Sequence, residues 1–511
     1  MGGLVSAALL ARAGLSVCVL ESARRPGGYL MGFERGDFRF DTAIHWLNMF
    51  GPSGVLRNLF DYIGDGAPPT PSPRRIRRYK GESFDYLLTD QPDELRDTLL
   101  REFPAEEQGL LRFFAEARKI GETFVEFGKR MRSPTTRPLL GQLKAGIDGA
   151  RTSFPFWKHT NRKTEDGLNR YFRSERLKQI FCSEIYLLSC LVPIGWAYTG
   201  DYQLPPPGGG VRLASWLCEV LEGFGASVLL GCPARQIRVE KGRCVAVRAA
   251  VGGEALPEAE IRCRYVIGAC DLLSLYEQLL PAGTIPARLI RKQRDADLYD
   301  SAVTVSIGLD RPSRELGLQE ELVLLSRDGI AREQHSSGDP HKALISLLAP
   351  SVFDPSRAPA GKGTLTIHTV ANIRYGDTWK TGPGRKRGAA YREFKQQYAD
   401  VLIERVEQSF GVRFRDSIEV LDVATPITHW RYTANRDGSS MGQRPTGRNL
   451  RARLAGYTTP VDNLYLASHW AEYGGGVPAA VRAAANSSAL LLKRENPSAF
   501  AELIAVLDGK R

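Results

Sequence analysis

The chain has 511 residues, too many for one ordinary core, so two or more domains are expected. An apolar fraction of 43% and a charged fraction of 25% exclude a disordered or low-complexity protein. The net charge of +12 is a mild excess that reads first as solvated surface and second as attraction to an anionic membrane; with no recognisable nucleic-acid module, no nucleic-acid partner is expected.

The opening "LVSAALLARAG" puts small and apolar residues on a helix that Gly14 stops. "LSVCVLE" then reads as a short buried strand ending in Glu21. Glycines, helix, strand and acid are, in that order, the second half of a dinucleotide-binding unit. Gly2 and Gly3 would let phosphate approach the helix amino end. Glu21, 19 residues after Gly2, would take the adenosine ribose hydroxyls. The preceding strand and its glycines are not in the sequence, so the expectation is a native chain that begins further upstream. The alternative is that Gly2 and Gly3 merely cap a surface helix. Five residues separate Glu21 from the pair Gly27-Gly28, and among them are Arg24 and Arg25, either facing phosphate or solvated.

"FDTAIHWL" (40–47) follows, carrying Asp41 and His45. Residues 90–200 read as mostly helical. Within them, 118–178 are rich in Lys and Arg and carry Phe124, Phe127, Phe154, Phe156, Trp157, Tyr171 and Phe172, a pattern that suits either an anionic bilayer surface or a solvated face over core aromatics. "IYLLSCLVPIGWAY" (185–198) is too short to span a membrane and holds Pro193; it reads as a buried helix end or the wall of an apolar cavity. Glycines 208–210 precede an amphipathic helix from about Val211 to Phe224, which Gly225 closes. Strands "SVLL", "ARQIRVE" and "CVAVRAA" follow, the last two joined by a turn at Lys241-Gly242, and then the buried strand in "CRYVIGACD". From 300 to 425 come "SAVTVSIGL", "KALISLL", "TLTIHTV" and "SIEVLDVATP", with a long helix between the third and fourth. The last segment, "NLYLASHWAEYGGGVPAAVRAAANSSALLL", is a strand, a glycine loop and a helix with Pro478 in its first turn. Its free N–H groups suit an electron-rich group.

The eight cysteines form no C-x-x-C pair and fall mostly in apolar runs, which suits a reducing cytoplasm. The seven histidines are dispersed, so no metal is expected.

Taken together, the Glu21 to Gly28 stretch, the segment beginning "DYQLPPPGGG", "FDTAIHWL", "ATPITHWRYTANRDGSSMG" and the terminal glycine loop resemble the phytoene desaturase, carotenoid isomerase and retinol saturase group of FAD oxidoreductases. His45 makes "FDTAIHWL" similar to the retinol-saturase branch. The resemblance implies an α/β fold: a Rossmann-like FAD-binding domain, apparently without its first strand, and a discontinuous α+β substrate domain. The FAD domain would come from 1–85, 203–285 and 445–511, a helical substrate- or membrane-facing region from 86–202, and a substrate sheet with helices from 286–444. It also implies FAD contacts from Gly2, Gly3, Glu21, Arg25, Gly27 and Gly28, an adenine contact from the Ala234 backbone, and flavin-ring contacts from Ser468, Gly475, Gly476 and Val477. His45 and His469 are the candidates for moving a proton; Asp41 and Glu472 would serve or merely cap and pair. The implied substrate is a long apolar polyene, desaturated, saturated or isomerised by a cytoplasmic enzyme in peripheral contact with a membrane. Two alternatives stand beside it. One is a flavin amine oxidase with Trp470 and Tyr473 as an aromatic cage. The other is a non-catalytic binding protein that holds FAD poorly.

Overall fold

The computed structural model describes residues 1–42, 45–51, 54–129, 131–160, 162–181, 186–251 and 258–510. The side chains of Phe154, Phe156 and Trp157, named above as aromatics of the basic region, lie outside the described residues.

Helix α1 (Gly2–Arg12) is buried from Leu4 to Ala11, on every face rather than one. A helix apolar all round has to be enclosed. It is covered by helix α5 (Val211–Gly223) and helix α7 (Gly476–Glu495), and the three share one core with Leu217, Val481 and Ala484. Gly14, at φ +82°, ends the turn into β1 (Cys18–Glu21).

Strand β1 pairs in parallel with β4 (Ser227–Leu230), Val19 opposite Val228. Strand β8 (Val266–Gly268) pairs in parallel with β14 (Leu464–Leu466), Ile267 opposite Tyr465. The parallel sheet expected of a dinucleotide unit is thus present as two separate pairs. Between them in the chain lies an antiparallel meander, β5 (Ala234–Glu240), β6 (Arg243–Ala249) and β7 (Ala259–Arg262). Lys241 at φ +49° and Gly242 at φ +76° make its first turn, the mirror-image geometry that suits the twist of a hairpin.

The largest sheet has seven strands in the order β13 (Ile418–Ala424), β9 (Ser301–Leu309), β12 (Gly363–Ala371), β11 (Ile345–Leu348), β10 (Leu322–Leu325), β2 (Arg75–Lys80), β3 (Asp85–Thr89). Only β10 and β2 pair in parallel. All nine residues of β9 are buried, and helix α6 (Ala389–Phe410) packs one face of the sheet through Tyr398, Leu402 and Val406. Strands β2 and β3 depart from the boundaries expected from the sequence. They extend this sheet rather than ending the first FAD segment at 85, because Tyr79, Tyr86 and Leu88 bury themselves against Leu322, Leu324 and the helical block.

In that block, helix α2 (Glu107–Gly128) crosses helix α4 (Leu188–Thr199) at two glycines. A Cβ on Gly121 would lie 2.1 Å from the Gly195 carbonyl oxygen, so only glycine allows this approach. Helix α3 (Leu139–Thr160) lies outside α2 and exposes Leu140, Leu143 and Ile147. Among the described residues no helix is long and apolar enough to cross a membrane.

Candidate functional site

One cavity of about 1850 Å³ reaches from the glycine turns of the parallel strands to the inner face of the seven-stranded sheet. Ordinary ligand pockets run to roughly 300–1,000 Å³, so there is room here for a large cofactor and a second molecule. Of the sites expected from the sequence, Gly2, Gly3, Glu21, Gly27, Gly28, His45, Ala234, Ser468, His469, Gly475, Gly476 and Val477 all border it.

The glycines do different physical work. A Cβ on Gly2 would lie 1.6 Å from the Ala467 carbonyl oxygen, so this glycine lets α1 press against the segment after β14. Gly28, at φ +59°, has nothing within 4 Å of where a Cβ would be, leaving its backbone open to the cavity. Gly474, Gly475 and Gly476 follow one another at φ +94°, +65° and +75°, and a Cβ on Gly475 would strike the Met441 carbonyl oxygen at 2.2 Å. This backbone is accessible only to glycine. It delivers the first N–H groups of α7 to the cavity, where the helix dipole favours negative charge.

Glu21 stands at the carboxyl end of β1, and its Oε1 accepts a hydrogen bond from the Ala23 N–H at 2.8 Å. Arg25 departs from expectation. It does not border the cavity but lies half exposed at 3.7 Å from Glu34, because the chain leaves β1 with this side chain turned toward that carboxylate. Asp41 and Glu472 are both paired. Asp41 accepts from Arg357 at 2.6 Å and from the Gly210 N–H at 2.9 Å; Glu472 accepts from Tyr457 and, at 3.2 Å, from Arg482.

Three further histidines, His335, His368 and His429, join His45 and His469 at the cavity. The rings of His45 and His368 meet edge to face at 5.0 Å, and His429 lies 5.9 Å from the Tyr29 ring. The Nε2 atoms of His45, His429 and His469 have no hydrogen-bond partner among the described residues. Burial lowers the pKa of His45 to about 3, with His368 adding to it, and lowers those of His368, His429 and His469 to about 4. All four are therefore neutral at pH 7, each with one donor and one acceptor nitrogen. His368 was not singled out in the sequence. The alternation of "TLTIHTV" puts it on one face with Thr366 and Val370, but not beside any partner.

That face of the sheet forms the cavity floor. Thr304, His368, Ser346 and Leu324 stand side by side on β9, β12, β11 and β10, and Leu322 and Arg77 continue it on β10 and β2. Across from it stand Val192, Pro193 and Trp196 of α4, the wall expected of the 185–198 stretch; Ile185 itself lies outside the described residues.

A family model described as flavin containing amine oxidoreductase matches residues 1–492. The chain belongs to this family and is an FAD-dependent oxidoreductase with the α/β fold that its glycine turns suggest. It is 27% identical over 512 residues to an all-trans-retinol 13,14-reductase of Danio rerio, covering 91% of this chain and 80% of that one. It is 26% identical over 500 residues to a chloroplastic prolycopene isomerase of Daucus carota, covering 93% and 76%. Among solved structures, an oxidoreductase from Methanosarcina mazei superposes with a TM-score of 0.59 at 16% identity, over 97% of this chain and 98% of that one.

Proposed function

We propose that this enzyme saturates, desaturates or isomerises a long apolar polyene of the retinoid or carotenoid class. The observation that carries the reading is the joining of the two glycine turns and the apolar wall of α4 in one cavity. The relatives named for a retinol reductase and a prolycopene isomerase support the choice of substrate.

FAD, when bound, supplies hydride-equivalent transfer to or from a carbon–carbon bond. The chain's own residues do the rest. The backbone at Gly2, Gly3, Gly27 and Gly28 and the start of α7 at Gly475, Gly476 and Val477 would hold FAD through their N–H groups. Glu21, Ala234 and Ser468 border the same space. Val192, Pro193 and Trp196 exclude water from the substrate. His45 and His469, neutral and each with an unpartnered Nε2, hold and pass the proton that must move with the hydride equivalent.

The amine-oxidase alternative draws less support. Trp470, half of its expected aromatic cage, does not border the cavity, and its indole N–H donates to Asn435 at 3.2 Å. The Tyr473 hydroxyl is tied to the Leu454 N–H and the Asn449 carbonyl.

Peripheral contact with a lipid surface is part of the proposal. Leu140, Leu143 and Ile147 on α3 are 83%, 69% and 63% exposed at helical spacing, beside Lys144 and Arg151. An apolar stripe flanked by basic residues suits the interface of an anionic bilayer.

The test is to load the enzyme with FAD and incubate it with phytoene, lycopene isomers and retinol dispersed in liposomes. Absorbance and mass should show at least one of them converted. If all three stay unchanged while an amine is consumed with peroxide release, the alternative takes its place. A purified protein that binds no flavin would overturn both.

A further inference from the structure

We propose that the far end of the cavity floor is a carboxylate-binding site built on Arg77, so that the preferred ligand is a long apolar acid rather than a plain hydrocarbon. The proposal rests on the polyene reading above for the apolar part of the ligand and adds its polar end.

Strand β2 carries four cations, Arg75, Arg77, Arg78 and Lys80. Three of them have an acid: Arg75 pairs with Glu321 at 2.7 Å, and Arg78 and Lys80 share Asp85 at 2.6 and 2.9 Å. Arg77 has no carboxylate and donates no hydrogen bond among the described residues, although it is only 6% exposed. A β-bulge between Arg75 and Arg77 shifts the register against β3 at this point. Bulges re-aim side chains, and here Arg77 borders the cavity.

An arginine is a cation with donors only, and burying one unpaired is costly. No carboxylate among the described residues pairs with it, and the groups it acts on are the neutral phenols of Tyr79 and Tyr202. Its guanidinium lies 5.8 Å from the centre of the Trp46 ring, which also neighbours Tyr202 at 6.0 Å and Trp196 at 6.3 Å. The indole Nε1 of Trp196 is a second buried donor without a partner among the described residues. Two unsatisfied donors flanking one aromatic ring, at the edge of an apolar cavity, call for a compact anion on an apolar body. One guanidinium and one indole N–H match a carboxylate, which arginine binds in bidentate fashion. A diphosphate would need more cations than the site has.

The sheet also gives the distance. Arg77 on β2 is three strands from His368 on β12, about 14 Å at the usual strand spacing. A ligand anchored by its carboxylate at Arg77 would run across the strands toward the histidines.

The experiment measures quenching of tryptophan fluorescence in the FAD-loaded full chain by all-trans-retinoate, its methyl ester, retinol and geranylgeranyl diphosphate. The acid should bind at least about tenfold tighter than the ester; Arg77→Met should abolish that preference while changing ester binding by less than about twofold. Arg77→Lys, which keeps the charge but not the fork, should keep part of it. Acid and ester binding equally to the unaltered protein, or diphosphate binding tightly while the acid does not, overturns the proposal. That comparison needs no variant, so it decides the matter even if Arg77→Met fails to fold. A preference for the acid that depends on Arg77 sustains the site even where no polyene is converted. Hydrocarbon turnover with no preference for the acid removes the site and leaves the polyene reading standing.

Discussion

Four of the cavity imidazoles, those of His45, His368, His429 and His469, are held neutral by burial, and no carboxylate raises any of them. Their pKa values of about 3 and 4 lie below the 6.5 of an unfolded histidine. Between these limits the unfolded chain binds more protons than the folded one, so stability is lost as the pH falls below about 6.5, by about 1.4 kcal/mol per pH unit for each such group. Replacing His368 with Gln removes one of them and should move the acid-unfolding midpoint, followed by fluorescence, to lower pH; an unmoved midpoint would mean that the ring protonates freely when folded. His45→Gln addresses the chemistry instead. With flavin content unchanged, kcat for polyene conversion should fall by about a hundredfold or more. That His45 and His469 would border the cavity was legible from the family-like segments that carry them. His368 was not, because its importance comes from Thr304 and Ser346 on strands distant in sequence. Arg25 stayed open between phosphate and solvent for a related reason: sequence places a cation near a phosphate turn but does not show the Glu34 beside it.

At the scale of elements, the glycine loop before α7 is the most constrained piece. Gly475→Ala would set a Cβ 2.2 Å from the Met441 carbonyl in a backbone that disfavours side chains. A cost of about 1–3 kcal/mol follows from the strained conformation alone. The expected outcome is a lower melting temperature and a flavin-to-protein absorbance ratio well below that of the unaltered enzyme. Gly28→Ala, with open space at the same test position, should keep its fold better. Helix α3 makes a separate prediction. Leu143→Glu with Ile147→Glu should end co-sedimentation with vesicles containing phosphatidylserine while leaving the melting temperature unchanged, since both side chains are solvent-facing. The order helix, strand, acid, glycine pair was readable from periodicity and turn residues. Strand β2 was not, because "RIRRYK" is mostly cationic, and its place in the sheet depends on long-range pairing with Leu322 to Leu325.

Across the whole molecule, a buried clamp ties the nucleotide-type half to the seven-stranded sheet. Arg357, 2% exposed, donates to Asp41 at 2.6 Å and to Asp354 at 2.8 Å. Those carboxylates also accept from the Gly210 and Gly208 N–H groups ahead of α5. Gly209 between them has no room for a Cβ, which would lie 2.4 Å from the Arg357 guanidinium. The two acids are not equivalent. Burial pushes the Asp41 carboxyl up despite Arg357, whereas at Asp354 burial is outweighed by hydrogen bonds from Ser356, Gly208 and Arg357, which hold it below the usual range. Removing the cation strands both charges, and breaking such a pair from one side costs about 3–5 kcal/mol. Arg357→Met should therefore lower the urea midpoint at pH 7. Its pH dependence should run opposite to that of the histidines. With the guanidinium gone, the Asp41 carboxyl sits further above its unfolded value, so the folded chain takes up that proton first and stability returns as the pH falls toward 5. Urea titrations of the variant at pH 7 and pH 5 read this directly: a loss relative to the unaltered protein that is smaller at pH 5 identifies the clamp as electrostatic. A loss of equal size at both would make Arg357 a packing residue instead.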